Sequence, residues 1–319
     1  MKSLLYYTLI AFLISLFVGN LLIPIFAKLY LVQHISKDAP ESHKKKEGTI
    51  IFGGFIFIFA TLITMSMSKK NFDKNTMLAM YSLLAFGLVG FIDDSLKIIH
   101  SKNGGLTKSQ KFVLLFIVSC YFVFYAYNNP SIGSSIIIPF KMKLLNLGIY
   151  YIPFSIFYYV ATTNAVNLTD GIDGLLASIT ILVMVFFTIV SYCFGMYSLS
   201  IFCGIITGSL LGFLKFNRYP AKIFMGDTGS LGLGGLVATV AVILKLPLII
   251  VLVGGIYVFE VTTTSIQIIS FQLTGKRIFK KTPIHHSFEL NGWKERKIVI
   301  VFSIVTATLC IIGFLSLCA

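Results

Sequence analysis

Long apolar segments, separated by short polar loops, make up most of this chain. A membrane-spanning helix needs about 20 predominantly apolar residues, and ten segments approach or exceed that length. They are residues 4–27, 49–67, 76–92, 112–127, 151–166, 174–195, 197–216, 230–244, 246–271 and 298–318. Residues 134–150 instead alternate in polarity and contain Pro139 and Gly148, which predicts a small hairpin outside the membrane. The pattern predicts an all-α polytopic membrane protein with about ten transmembrane helices.

Composition supports this prediction. Of the 319 residues, 56% are hydrophobic and 12% are charged, and the mean hydropathy is +0.89. A typical soluble domain carries about 25% charged residues. The five cysteines all lie in apolar stretches without metal-type spacing, so neither a disulfide framework nor a zinc site is expected. We therefore expect residues 1–319 to form a single integral membrane domain, with the first apolar segment retained as a span.

The distribution of basic residues predicts the orientation of the chain. The net charge is +14, but Lys and Arg form short clusters between apolar runs, as in cytoplasmic loops, which argues against nucleic acid as the partner. If the loop after the first span is cytoplasmic, the inner loops and adjoining span ends hold 19 of the 26 basic residues. Lys69, Lys70 and Lys74 lie on the other side and disagree. The count predicts that both termini lie outside the cell.

With that orientation, most polar chemistry lies on the cytoplasmic side. Ten of the twelve acids and all five histidines occur in inner loops or at the inner ends of spans. The outer surface then has few groups that could act on a substrate. We therefore expect the active site on the cytoplasmic face.

Acids mark three inner positions, two of which carry a pair. Asp93 and Asp94 end the third predicted span, where two adjacent carboxylates are costly unless a cation neutralises them; Lys97 could equally be a simple interface partner. Residues 164–174 contain two acids, two amides and two glycines without a basic residue, which suits either a polar pocket or a capped loop. Asp227 lies between glycines ahead of the eighth span, where helix N–H groups could bind phosphate or simply be capped.

Three further features have both structural and functional interpretations. The longest inner loop, residues 274–297, contains His285 and His286, which could bind a diphosphate or be ordinary solvated side chains. Residues 38–49 carry clustered lysines that fit either substrate binding or the orientation rule. Glu260 is the one acid deep inside a predicted span; it could serve helix packing or function.

Together these groups predict a site for a metal-bound polyanion. Carboxylate oxygens suit Mg²⁺, which binds through one or two acids plus substrate phosphates. Lysines and histidines would neutralise the remaining charge of a diphosphate. A site at the membrane edge implies that one reactant is a lipid, so the pattern favours chemistry between a soluble nucleotide and a lipid phosphate. An ion-coupled transporter is the alternative, although transporter sites usually lie near the bilayer midplane.

The order of these motifs resembles the polyprenyl-phosphate N-acetylhexosamine-1-phosphate transferases. The similarity is greatest to their bacterial phospho-N-acetylmuramoyl-pentapeptide transferase branch, and it runs from residues 42–49 through 93–94, 164–174 and 216–230 to 283–293. It implies transfer of phospho-MurNAc-pentapeptide from UDP-MurNAc-pentapeptide to undecaprenyl phosphate, giving lipid I and UMP, with Mg²⁺ required. It also implies ten helices in the bacterial cell membrane, and a homodimer as a possible assembly.

The resemblance also implies roles for individual residues. The catalytic centre would contain Asp93, Asp94, Asp227 and His285, with Asp227 as the Mg²⁺ ligand. The nucleotide would contact Lys46, Asp173, Asn217 and Phe224, with Phe224 stacking on uracil. Further substrate-lining positions would be Lys97, Lys111, Asn167, Asp170, Gln267 and His286.

Two positions depart from the pattern of this branch. Ser287 stands where the branch has a third successive histidine, and Ile50 stands where it has proline. A sister branch, which transfers GlcNAc-1-phosphate or related sugars from UDP, is therefore the alternative within the family. The resemblance leaves open whether transfer is direct or passes through a covalent aspartyl intermediate.

Overall fold

The computed structural model of this protein describes residues 1–31, 48–68, 72–99 and 104–318. Within these ranges the chain is mostly helical, and a helix occupies every position where the sequence predicts a span. The helices are α1 (Lys2–Lys28), α2 (Gly54–Met67), α3 (Lys74–Ile99), α4 (Lys108–Asn128), α5 (Tyr151–Thr169), α6 (Leu175–Cys193), α7 (Tyr197–Asn217), α8 (Gly226–Ile243), α9 (Ile250–Val253), α10 (Gly255–Thr274), α11 (Ile284–Leu290) and α12 (Glu295–Leu315).

Among the described helices, seven are long and apolar enough to cross a membrane. They are α1, α3, α4, α6, α7, α8 and α12. Residues 247–274 add an eighth if counted as one span, although this segment bends by 87° between α9 and α10. Helix α2 has only 14 residues, and the Tyr, Thr and Asn side chains of α5 lower its hydropathy. The described chain is thus an all-α polytopic membrane protein, while ten spans, the orientation and the side of the active site stay predictions.

The predicted hairpin is present between α4 and α5. Strands β1 (Ser135–Ile138) and β2 (Lys143–Asn146) are antiparallel, with Ile137 opposite Leu144. The backbone N–H of Ile137 also donates to the carbonyl oxygen of Lys245 at 2.7 Å. This hydrogen bond ties the hairpin to the end of α8. Its position outside the membrane stays a prediction.

Helix α8 lies at the centre of the helical bundle. In the most apolar 18-residue stretch of α8, 89% of the residues are buried, compared with 22% in the corresponding stretches of α1 and α12. Helix α3 packs along α8, and α1 packs along α7. The peripheral helices expose large apolar side chains such as Phe17 and Ile304, as expected of a surface that faces lipid.

Helices α3 and α8 touch backbone to backbone where the paired acids lie. A Cβ atom at Gly90 would lie 2.0 Å from the carbonyl oxygen of Asp227, so only glycine permits this approach. Helix α3 continues to Ile99, beyond the predicted span end at residue 92, and α8 begins at Gly226 instead of residue 230. Helices can continue outside lipid, and apolar patterns do not mark that extension. Asp93 and Asp94 therefore lie within α3, and Asp227 lies in the first turn of α8.

Candidate active site

Three predicted catalytic carboxylates converge at the contact between α3 and α8. Oxygen atoms of Asp93, Asp94 and Asp227 all lie within 4.8 Å of one another. The Asp93 and Asp94 side chains are buried, and that of Asp227 is 17% exposed. The Gly90 contact described above brings these acids together. Such a cluster requires nearby positive charge.

Two lysines supply that charge. The Nζ atom of Lys97 lies 2.7 Å from Asp93 Oδ2, 2.8 Å from Asp227 Oδ2 and 3.4 Å from Asp94 Oδ1. The Nζ atom of Lys111, from α4, lies 2.9 Å from the same Asp227 oxygen. The Lys97 ammonium group thus occupies a position surrounded by three carboxylates. Both lysines contact the cluster; their contact with substrate stays a prediction.

Asp94 binds the N-terminus of α8. Its Oδ1 accepts a hydrogen bond from the backbone N–H of Asp227 at 3.1 Å. Its Oδ2 accepts bonds from the backbone N–H and the hydroxyl of Thr228, both at 2.8 Å. The first N–H groups of a helix have no partner within the helix, and here a carboxylate from another helix satisfies two of them. Asp94 therefore fixes the position of Asp227.

Asp227 is held on its other side by an amide from α5. Asn167 Nδ2 donates to Asp227 Oδ1 at 2.7 Å, and Asn167 Oδ1 accepts from Lys111 Nζ at 3.2 Å. The same Asn167 nitrogen lies 2.7 Å from Ser230 Oγ. Ser230 is absent from the predicted site residues, although its position three residues after Asp227 places both on one helix face.

Asp93 joins the cluster to the segment that precedes α4. Its Oδ1 accepts a hydrogen bond from the backbone N–H of Leu106 at 2.7 Å, while its Oδ2 faces Lys97. The two Asp93 oxygens therefore have separate partners: Leu106 in the segment before α4, and Lys97 one turn further along α3. The lysine is the partner that can move, because its long side chain is 33% exposed.

The polar turn after α5 lies beside the carboxylates. Burial raises the pKa of Asp170 to about 8, and the nearby charges of Asp227, Asp94 and Asp173 act in the same direction. At neutral pH this acid mostly keeps its proton. Asp173, which is buried, accepts a hydrogen bond from the backbone N–H of Ala221 at 2.9 Å. The turn is thereby tied to the segment that precedes α8.

Phe224 and Asn217 shape this preceding segment. Phe224 pairs through its backbone with residues 50–53: its N–H donates to the Ile50 carbonyl and its carbonyl accepts from the Gly53 N–H, both at 2.8 Å. Asn217 Nδ2 donates to the Ile223 carbonyl at 3.0 Å. The Phe224 side chain is half-buried. Lys46, the other predicted nucleotide contact, lies outside the described residues.

His285 forms a buried pair with Glu260. Its Nδ1 lies 3.0 Å from Glu260 Oε1, and the other Glu260 oxygen accepts from the backbone N–H of Ile284 at 2.7 Å. Both side chains are fully buried. A Cβ atom at Gly171 would lie 2.0 Å from His285 Nε2, so the imidazole edge touches the turn that carries Asp170. The sequence raised Glu260 only as an open candidate, because a pairing over 25 residues leaves no local pattern.

The remaining predicted residues, Gln267 and His286, make hydrogen bonds to residues between α10 and α12. Gln267 Oε1 accepts from the backbone N–H groups of Ile278 and Phe279 at 2.9 and 3.0 Å. His286 Nδ1 lies 2.7 Å from Glu289 Oε2. Ser287, in place of the third histidine, accepts from the Lys281 N–H at 3.0 Å. These contacts shape residues 276–283 and hold His285 in place; substrate contact by Gln267 or His286 stays a prediction.

The fold and this centre define a class of protein. It is a polytopic membrane protein in which helix ends assemble clustered carboxylates with lysines, an arrangement suited to a metal-bound polyanion beside a lipid phase.

Comparisons with known proteins identify the family within this class. The sequence profile of glycosyl transferase family 4 matches residues 75–245. The chain is 58% identical over 317 residues to a phospho-N-acetylmuramoyl-pentapeptide-transferase of Clostridium novyi (strain NT), covering 99% of this chain and 98% of that protein. A transferase of the same name from Clostridium kluyveri is 55% identical, covering 99% of this chain and all of that protein. The chain belongs to the phospho-N-acetylmuramoyl-pentapeptide-transferase family, which confirms the resemblance seen in its motifs.

Proposed function

We propose that this chain transfers phospho-N-acetylmuramoyl-pentapeptide from its UDP-linked donor to undecaprenyl phosphate, giving lipid I and UMP for peptidoglycan synthesis. The observation that carries the proposal is the Asp93–Asp94–Asp227 cluster with Lys97 and Lys111, found in a chain whose relatives bear that transferase name. We place the enzyme in the bacterial cell membrane as one domain, with its active site on the cytoplasmic side.

The residues of the cluster fit Mg²⁺. All three candidate ligand groups are carboxylates, the chemistry that this ion prefers, and a cationic ammonium group already lies among them. Asp227 and Asp93 would hold the ion, because both oxygens of Asp94 accept hydrogen bonds from α8. When bound, Mg²⁺ supplies charge neutralisation for the diphosphate. Lys97 and Lys111 would then turn toward the phosphate oxygens.

Attack by the lipid phosphate needs positioning more than deprotonation. A phosphate monoester has a second pKa near 6, so it is mostly a dianion at neutral pH. Asp93, next to the partly exposed Lys97, would orient this nucleophile or accept its residual proton. Lys111 and Asn167, which both contact Asp227, would stabilise the negative charge as UMP departs.

The uridine would bind beside the segment that precedes α8. Phe224 offers a half-buried aromatic ring there, and Asp173 and Asn217 fix the backbone on either side of it. Asp170, which is mostly protonated at neutral pH, can donate a hydrogen bond to a phosphate or sugar oxygen.

An assay of UMP release tests the proposal. Purified protein in detergent receives undecaprenyl phosphate, Mg²⁺ and either UDP-MurNAc-pentapeptide or UDP-GlcNAc. We expect UMP from the muramoyl donor alone. UMP from UDP-GlcNAc alone would assign the chain to the sister activity, and UMP from neither donor with folded protein would refute transferase function.

Omitting the lipid acceptor separates the two mechanisms. In direct transfer, labelled UMP enters the UDP-linked donor only when the lipid product is present. If an aspartate first attacks the sugar-linked phosphate, UMP leaves and an acyl phosphate remains, so labelled UMP would exchange without any lipid. Exchange without lipid would support the covalent route, and its absence would support direct transfer.

A further inference from the structure

We infer that Glu260 is a positioning residue for His285 in the proposed transfer reaction, and this inference rests on the function proposed above. Helix α10 carries Glu260, and α11 carries His285. The two side chains form a pair that is fully enclosed by protein. Glu260 needs no contact with substrate to act in this way.

Both carboxylate oxygens of Glu260 have a partner at the start of α11. One carboxylate oxygen lies 3.0 Å from His285 Nδ1, and the other accepts from the Ile284 N–H at 2.7 Å. The carboxylate therefore contacts both the imidazole and the backbone of the preceding residue. A carboxylate that accepts from Nδ1–H fixes both the tautomer and the rotation of the ring.

The opposite edge of the ring is buried against the turn after α5. Among the residues that the structure describes, His285 Nε2 is buried without a hydrogen-bond partner. This atom faces Gly171, where any added Cβ would lie 2.0 Å away. An unpaired buried ring nitrogen is costly, which indicates that a ligand atom completes it. The adjacent Asp170 is close enough to Asp227 and Asp94 for their charges to raise its pKa. A UDP-linked donor bound at these carboxylates would therefore lie near the turn that Nε2 faces.

Glutamate is the side chain that this arrangement demands. Two N–H groups, from His285 and Ile284, point at two carboxylate oxygens. A glutamine has one oxygen and one NH₂ group, so it can satisfy only one of these donors. Glu260→Gln therefore disturbs the ring while preserving side-chain size.

The test measures steady-state UMP release and melting temperature for Glu260→Gln, His285→Gln and the double variant. We expect Glu260→Gln to lower kcat about tenfold to a hundredfold, with KM for the UDP-linked donor changed less than about twofold. In the His285→Gln background the Glu260 substitution should cause no further loss of kcat, because its effect passes through the imidazole. Asp73→Asn is the matched control, since it also exchanges an acid for its amide but at the far end of α3, where the side chain caps Thr76.

A second variant keeps the test valid if Glu260→Gln does not fold. Gly171→Ala leaves Glu260 intact but forces the imidazole to move, and we expect the same loss of kcat. Gly104→Ala is its control, because a Cβ there meets nothing within 4 Å. Normal kcat in folded Glu260→Gln, or equal losses in both His285 backgrounds, would overturn the inference alone. Wild-type protein that releases no UMP would overturn the proposed function and this inference with it.

Discussion

The cluster of three aspartates and the Glu260–His285 pair both adjoin the turn after α5, and their carboxylates are held in different ways. The aspartate cluster is balanced by Lys97 and Lys111, whose side chains are 33% and 19% exposed. Glu260 is instead held by a fully buried histidine and a backbone N–H. Ammonium groups on long, partly exposed side chains can exchange partners at lower cost than a fully buried carboxylate can. The cluster is therefore suited to charge that changes during reaction, and the Glu260–His285 pair to geometry that does not.

Removing the shared carboxylate of the cluster should have the largest effect. Asp227→Asn leaves Lys97 and Lys111 without their common partner and removes a candidate Mg²⁺ ligand, so we expect kcat to fall about a thousandfold or more. The melting temperature should stay close to that of the wild type, because the asparagine can still accept from Asn167. UMP release and thermal unfolding in detergent measure both quantities. Near-normal activity would remove Asp227 from the metal-binding role.

Substitution of Asp94 should affect both activity and stability. This residue belongs to the aspartate cluster, but it also accepts hydrogen bonds from backbone N–H groups of α8. Asp94→Asn replaces one acceptor at the start of α8 with a donor, which costs about 1–3 kcal/mol for the unsatisfied N–H group. We expect a lower melting temperature and about a hundredfold loss of kcat. Asp93→Asn is the matched control: it should lose activity but keep its melting temperature, since its amide oxygen can still accept from Leu106. Equal melting temperatures for both variants would contradict the structural role of Asp94.

Substitution of Phe224 tests whether binding of the UDP-linked donor can be changed without affecting the catalytic step at the carboxylates and lysines. If its ring stacks on uracil, Phe224→Ala should raise KM for the UDP-linked donor about tenfold, because a lost stacking energy of roughly 1–2 kcal/mol weakens binding by about that factor. Turnover at saturating donor should change less than about twofold, because the carboxylates and lysines are untouched. Phe224→Tyr, which keeps the ring, is the control. A loss confined to kcat would argue against the stacking role.

Asp170 should show the smallest effect, in the pH dependence of stability. Its pKa in the folded protein is about 8, against an ordinary value of 3.8. The folded state therefore holds this proton more tightly than the unfolded state, so stability falls as pH rises from about 4 to about 8. Asp170→Asn removes this penalty. In metal-free detergent we expect the variant's melting temperature to exceed that of the wild type more at pH 8 than at pH 6; a difference independent of pH would refute the raised pKa.

The sequence predicted helix positions and residue types well, because both are local properties. Apolar runs located the long helices, alternating polarity located the hairpin, and the order of motifs led to the family. The short helix α11 lies in a segment that the sequence predicted only as a loop. Partners on different elements were not predictable in this way. The pairing of Glu260 with His285 and the capping of α8 by Asp94 join segments that no periodicity connects. The extension of α3 to Ile99 was missed because a hydropathy pattern ends where lipid contact ends, not where helical hydrogen bonds do.

The bond between Asp94 and the start of α8 also bears on how the protein is made. The two partners are 134 residues apart, and α3 leaves the ribosome long before α8. Until α8 arrives, Asp94 lacks the N–H groups that will hold it, and a chain interrupted before residue 226 has no complete site. Insertion of α8 is thus required before the carboxylate cluster can form, and His285 joins the site only after α10 and α11 have followed.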